Sequence, residues 1–114
     1  MVLPSPNINS KQRGVKAYVL DIMPAMAEIK IEKPDEARLK SLGVRSWPVW
    51  TKEPSEFPWH YSDSETCYLL EGEVTVEAAG KSVAFGKGDL VVFPEGLDCV
   101  WKVKRAVKKH YKFG

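Results

Sequence analysis

The side chains of this chain that could bind a metal or move a proton are few. It has two histidines and two cysteines, namely His60, His110, Cys67 and Cys99. Glu65 opens the run Glu65-Thr66-Cys67-Tyr68-Leu69-Leu70-Glu71-Gly72, where strand-like residues end at a turn glycine. A second run, Gly88-Asp89-Leu90-Val91-Val92-Phe93-Pro94-Glu95-Gly96-Leu97-Asp98-Cys99, passes from a Gly-Asp turn through apolar residues to Pro-x-Gly and then to a thiol. Imidazole, carboxylate and thiolate all bind zinc, so His60, Glu65 and Cys99 make one conceivable metal set, provided His60 faces inward. Glu65 has other readings: a general acid or base, a ligand-binding carboxylate, or a buried structural group. Desolvation would raise its pKa unless it is hydrogen-bonded, and Tyr61 is a candidate partner. Cys67 and Cys99 read more simply as small core residues.

Strands must position these groups. Side chains alternate faces along a strand. Phe57, Trp59 and Tyr61 share one face, and their size suits an interior. Pro58 and His60 share the other, so His60 is expected to point outward. Glu65, Cys67 and Leu69 share a face, as do Cys99, Trp101 and Val103. The expected pocket is therefore lined by Trp59, Tyr61, Glu65, Cys67, Cys99 and Trp101, with Glu65 its candidate catalytic residue. The chain's four Trp, four Tyr and four Phe are many for its length. They concentrate in Trp47 to Tyr68 and fit a filled barrel interior or a lined pocket.

The elements around that pocket are short. Glu28–Glu32 alternates as a strand does. Asp35 to Leu42 predicts a short helix: Pro34 suits a first turn, Asp35 and Glu36 favour its start, and Gly43 can end it. After Val44 the runs are Val49–Thr51, Phe57–Tyr61, Glu65–Glu71, Glu73–Ala78, Ser82–Phe85, Leu90–Phe93, Asp98–Val103 and Val107–Phe113. Breaks fall at Pro54, Ser62 to Ser64, Gly72, Ala79-Gly80, Gly86 to Gly88 and Pro94 to Gly96. Many short strands at this spacing predict an antiparallel barrel or sandwich.

The paired runs resemble the two motifs of the cupin superfamily, with Gly72, Gly88, Pro94 and Gly96 at the turn positions. The resemblance covers residues 28–113. Trp47-Pro48-Val49-Trp50, Phe57 to Tyr61 and Glu65 to Tyr68 are similar to the small single-domain group related to the (S)-ureidoglycine aminohydrolase cupin domain. The resemblance implies an all-β jelly-roll barrel, an antiparallel β-sandwich, with one short N-terminal helix. It also implies a metal held by two His and one Glu from the first motif and one His from the second. Glu65 matches the glutamate, and Cys99 stands where the second-motif histidine belongs. The His-x-His pair maps onto either Pro58 and His60 or Trp59 and Tyr61. The ligand set is thus degenerate, and no metal cofactor is expected, with a divalent transition metal on His60, Glu65 and Cys99 as the alternative.

Composition narrows the class. The 114 residues suffice for one domain with its own core, and 44% hydrophobic with 28% charged residues is ordinary for a globular protein. A net charge of +2 gives no electrostatic reason for a polyanion partner. Lys102, Lys104, Arg105, Lys108, Lys109 and Lys112 read as the solvated face of a strand, and His110 beside them as a surface residue. A nucleic-acid partner is not expected, since no recognition motif accompanies these lysines. No run approaches the roughly 20 apolar residues of a membrane span. Two cysteines outside any CxxC or framework fit a reducing intracellular compartment. Residues 1–27 are set apart as an N-terminal extension, with Lys11, Arg13 and Lys16 against Asp21. That bias suits a transit-peptide remnant, hence a plastid or other organelle, and without it the cytoplasm. Residues 28–114 form the domain. The expected function is small-molecule binding in the barrel, by a protein that pairs as a homodimer through Glu28–Glu32. The alternatives are a metal-dependent enzyme on small ureido or amine compounds and a structural subunit of an organellar complex. Whether the protein is an enzyme is left open.

Overall fold

The computed structural model describes residues 16–19 and 28–114. Among them eight strands form one antiparallel sheet that wraps into a β-sandwich. They are β1 (Lys16–Val19), β2 (Glu28–Glu32), β3 (Val49–Lys52), β4 (Ser55–His60), β5 (Glu65–Ala78), β6 (Lys81–Gly86), β7 (Leu90–Phe93) and β8 (Asp98–Phe113). Helix α1 (Glu36–Leu42) and a 3₁₀ turn (Val44–Ser46) lie between β2 and β3. Asp35 caps α1 by accepting from the Arg38 N–H at 2.9 Å, and Gly43 ends it by donating to the carbonyls of Leu39 and Lys40. Arg38 ties the helix to β2 through Glu32. Leu39 and Val44 are buried.

Two long strands, β5 and β8, pair along most of their length and form the spine. The first half of β5 pairs with β7 and the second half with β6. The first half of β8 pairs with β4 and the second half with β3. The Gly72 break expected from the sequence is a bend inside one strand, and Val103 and Val107 likewise belong to one continuous β8. The register slips by one residue near Gly72. Before it, Glu65, Cys67 and Leu69 face inward, and after it Val74, Val76 and Ala78 do. A bulge flips the faces in this way because side chains alternate with period two. Gly72 permits it with φ +115, and a Cβ there would meet the Ala106 oxygen and Val107 Cα at 2.8 Å.

The turn before β7 is clamped onto β5. Asp89 accepts from the Gly86 N–H at 2.8 Å and from Lys33 Nζ at 2.6 Å. Gly88 N–H donates to Leu69, and Leu69 N–H to the Asp89 carbonyl. The core runs from Ile29 and Ile31 through Leu69, Val91 and Phe93 to Trp101 and Val107. β2, expected to need a partner from another copy, is flanked within the chain by β1 and β7. β1 lies in the segment set apart as an extension, and it is paired to the domain. The rest of that segment, and with it the transit-peptide reading, lies outside the described residues. No described helix is long and apolar enough to cross a membrane.

Candidate functional site

A cavity of about 210 Å³ opens at one end of the barrel. Trp50, Phe57, Trp59, Tyr61, Glu65, Trp101, Lys109, Tyr111 and Phe113 line it. Register explains the convergence. Phe57 lies opposite Trp101, Trp59 opposite Cys99, and Trp50 opposite Lys109. Trp59 and Phe113 are exposed at the mouth, whereas Tyr61, Trp101, Glu65 and Lys109 are buried.

The turn at Gly96-Leu97 holds Tyr61 from both sides of its peptide backbone. Its N–H donates to the Leu97 carbonyl at 2.9 Å, and its carbonyl accepts from the Gly96 N–H at 2.6 Å. The ring stacks on Phe93 with centroids 4.8 Å apart. The Trp101 indole N–H donates to the Tyr61 hydroxyl at 3.2 Å. Burial, and then the charge of Glu65, push the Tyr61 hydroxyl pKa well above the ordinary phenol range, so it stays a neutral O–H.

The floor is a buried ion pair. Lys109 Nζ donates to Glu65 Oε2 at 2.8 Å, with side-chain exposures of only 6% and 4%. The ammonium also lies 4.8 Å from the Trp50 ring centroid and 4.6 Å from that of Trp101. Two indole faces and one carboxylate thus enclose a single amine. Tyr61, expected as the partner of Glu65, bonds Trp101 instead. Lys109, assigned to the solvated face, is the true partner. The signal for it was parity: Cys99, Trp101, Val103, Val107 and Lys109 all carry odd numbers on one strand, and all are buried. Ending the strand at Val103 hid that continuity. His110 is likewise only partly exposed, with Nδ1 2.9 Å from the Trp47 carbonyl.

Of the six residues expected in the pocket, Trp59, Tyr61, Glu65 and Trp101 line the cavity. Cys67 and Cys99 are buried outside its lining. Burial pushes both thiols up to about 12. At Cys67 the nearby Lys109 opposes that shift and Glu65 adds to it, and at Cys99 Asp98 and Glu65 add to it. Cys99 Sγ contacts the Trp59 carbonyl at 3.6 Å.

The alternative metal set does not assemble. His60 is exposed, with Nδ1 2.7 Å from Asp98 on the surface. Cys99 is turned to backbone, and Glu65 is already matched by Lys109. Among the described residues no group of three or more His, Cys, Asp or Glu side chains could hold a metal ion. The residues at this site therefore do not fit a transition metal: a fixed ammonium supplies the positive charge that a metal would bring to Glu65.

The β-sandwich, with its Gly-Asp and Pro-x-Gly turns and its cavity, is consistent with a cupin. Residues 39–111 match the EutQ-like cupin domain family, and the chain belongs to it. A DUF861 family protein from Thermotoga maritima is 54% identical, with a TM-score of 0.74 over 75% of this chain and 99% of that one. The Clostridium difficile EutQ protein shares the fold at 15% identity and a TM-score of 0.54, over 87% of this chain and 66% of that one. A putative ethanolamine utilization protein Q from Salmonella typhimurium does so at 20% identity and 0.53, over 86% and 77%. No curated protein matches the chain.

Proposed function

We propose that this cupin binds a small molecule in the barrel cavity, on the Glu65–Lys109 pair and without a resident metal ion. The buried ion pair on the cavity floor carries this reading. Taking two charges out of water costs several kcal/mol per ion, of order, and apolar residues of similar volume often serve stability as well or better. A pair kept on the floor of a cavity is better explained by what enters that cavity. Aromatic walls supply contact area, and the pair and the Tyr61 hydroxyl supply polar anchors.

A second reading is an enzyme on small ureido or amine compounds, as the resemblance to the aminohydrolase group suggests. The proximity of Glu65 to Lys109 favours it, because a carboxylate and an amine 2.8 Å apart can pass a proton between them. It would work through these side chains rather than through the family's metal ligands.

The test is a thermal-shift series with small amines, ureas, carboxylates and carbonyl compounds on the wild type and on Glu65→Gln. At least one class should raise the melting temperature of the wild type and not of the variant, since a ligand at about 100 times its Kd adds about 2.7 kcal/mol. Flat responses throughout, or equal shifts in both proteins, would remove the cavity from consideration.

A further inference from the structure

Lys109 is the one lysine among the residues that line the cavity, and its amine sits within hydrogen-bond reach of a carboxylate. We propose that Lys109 captures a small uncharged aldehyde or ketone as a Schiff base. The proposal rests on the cavity being a ligand site and names the class of ligand and the bond it forms.

Charge selects the ligand. Among the lining residues the charged groups are Glu65 and Lys109, and they neutralise each other. A ligand bearing its own charge would bring an unpaired ion into a desolvated space, which is costly. A neutral carbonyl compound brings none. The cavity volume of about 210 Å³ and its aromatic walls suit a compact apolar body.

The chemistry balances within the site. Glu65 Oε2 takes one proton from the Lys109 ammonium and frees the nitrogen lone pair. That nitrogen attacks the carbonyl carbon, and the C=O π electrons move to oxygen. A proton passes from nitrogen to that oxygen, giving a neutral carbinolamine. Glu65 then returns its proton to the hydroxyl, the C–O bond breaks, and water leaves past Trp59 and Phe113 at the mouth. The nitrogen lone pair closes the C=N bond. Ammonium and carbonyl have become iminium and water, and the carboxylate is restored.

The surroundings suit the product as well as the reactant. The iminium keeps the positive charge on nitrogen, so Glu65 still pairs with it. The faces of Trp50 and Trp101, 4.8 and 4.6 Å from the amine, attract an iminium as they attract an ammonium. Lysines on the outer face such as Lys102, half-buried and paired to Glu77, have no such enclosure.

The experiment uses the full chain with propanal and sodium cyanoborohydride, followed by peptide mapping. The expected result is a propyl group on Lys109 ahead of every lysine on the outer surface, Lys102 included. Glu65→Gln should slow labelling at Lys109, and Lys109→Arg should abolish it there while surface labelling continues. The wild-type map decides the matter even if either variant fails to fold. Labelling confined to surface lysines, with Lys109 intact, overturns the proposal. A parallel titration with propanal alone, read by tryptophan fluorescence, separates the two levels. Saturable quenching without an adduct on Lys109 leaves the cavity as a ligand site and removes the covalent step. No quenching and no adduct counts against both.

Discussion

Two Lys–Glu pairs join β5 to β8 at the same distance, 2.8 Å, and differ in almost everything else. Lys102–Glu77 has side-chain exposures of 34% and 46%, whereas Lys109–Glu65 has 6% and 4%. The outer pair is screened by water and salt, as exposed pairs generally are. The inner pair has lost its water and holds its charges only because each partner, and two indole faces, replace it. Identical chemistry thus serves two ends: a solvated sheet surface and a fixed dipole inside a cavity. What separates them is which face of the strand each residue occupies. Glu65 and Glu77 are an even number of residues apart and would share a face on an unbroken strand. The bulge at Gly72 sends one inward and the other outward.

The largest effect should come from breaking the inner pair on one side. Lys109→Met leaves the Glu65 carboxylate buried without its partner, and the expected cost is roughly 3–5 kcal/mol in urea unfolding. Glu65→Leu should cost a similar amount. The double variant Glu65→Leu/Lys109→Met should regain most of that loss, because no uncompensated charge remains. Additive losses in the double variant would mean that the two charges act independently.

Gly72 comes next, since it sets the faces that distinguish the two pairs. Gly72→Ala must place a Cβ 2.8 Å from the Ala106 oxygen and Val107 Cα, at φ +115. Both obstacles are backbone. Strain and overpacking together are expected to cost roughly 2–5 kcal/mol. A neutral Gly72→Ala in equilibrium unfolding would show that β5 can cross β8 without this glycine.

Much of this was legible in the sequence, and the reasons are specific. Turn glycines, Pro94 and the alternating apolar runs mark the barrel, because turn chemistry and period-two burial are local properties. The same alternation places Phe57, Trp59 and Tyr61 on one face, and Asp35 and Gly43 bound the helix. Lys109 was not legible as a site residue, because its neighbours are basic and a lysine inside a barrel needs a partner 44 residues away. Composition argues for solvent there, and only parity carried through Val107 argues against it. Cys67 and Cys99 were placed on inward faces, but strand alternation cannot tell a residue that lines a cavity from one packed behind it.

A more gradual effect, spread over several pH units, should appear in alkali. Each buried thiol titrates near 12 when folded, against an ordinary value of 9.0. From about pH 9 upward the unfolded chain binds fewer protons than the folded one, so stability falls as pH rises. Below about pH 9 both states hold the protons and the fold has lost nothing. The expected slope approaches about 1.4 kcal/mol per pH unit for each thiol. Tyr61, whose pKa is raised still further by burial, adds in the same direction once the unfolded tyrosine begins to ionise near its ordinary 10.0. Urea midpoints taken across this range should decline in the wild type and decline less steeply in Cys67→Ala. A profile flat through pH 11 would mean that water reaches these thiols. Native-state labelling by a bulky thiol reagent should be slow at both positions.

The smallest effect, and the sharpest control, belongs to the outer pair. Lys102→Met removes the same charge from the same strand as Lys109→Met. Its carboxylate partner, Glu77, is half-exposed, and water takes over when the lysine is gone. The expected change in the urea midpoint lies within the scatter of replicate measurements. Any residual effect should shrink with added salt, since exposed charges are screened over about 10 Å at 0.1 M ionic strength. The loss in Lys109→Met should persist in salt, because counter-ions cannot enter a desolvated floor enclosed by Trp50 and Trp101. If salt instead rescued Lys109→Met as readily as it damps Lys102→Met, the cavity floor would have to be wet. The two pairs would then differ only in position, and neither the ligand site nor the enclosed amine could rest on desolvation.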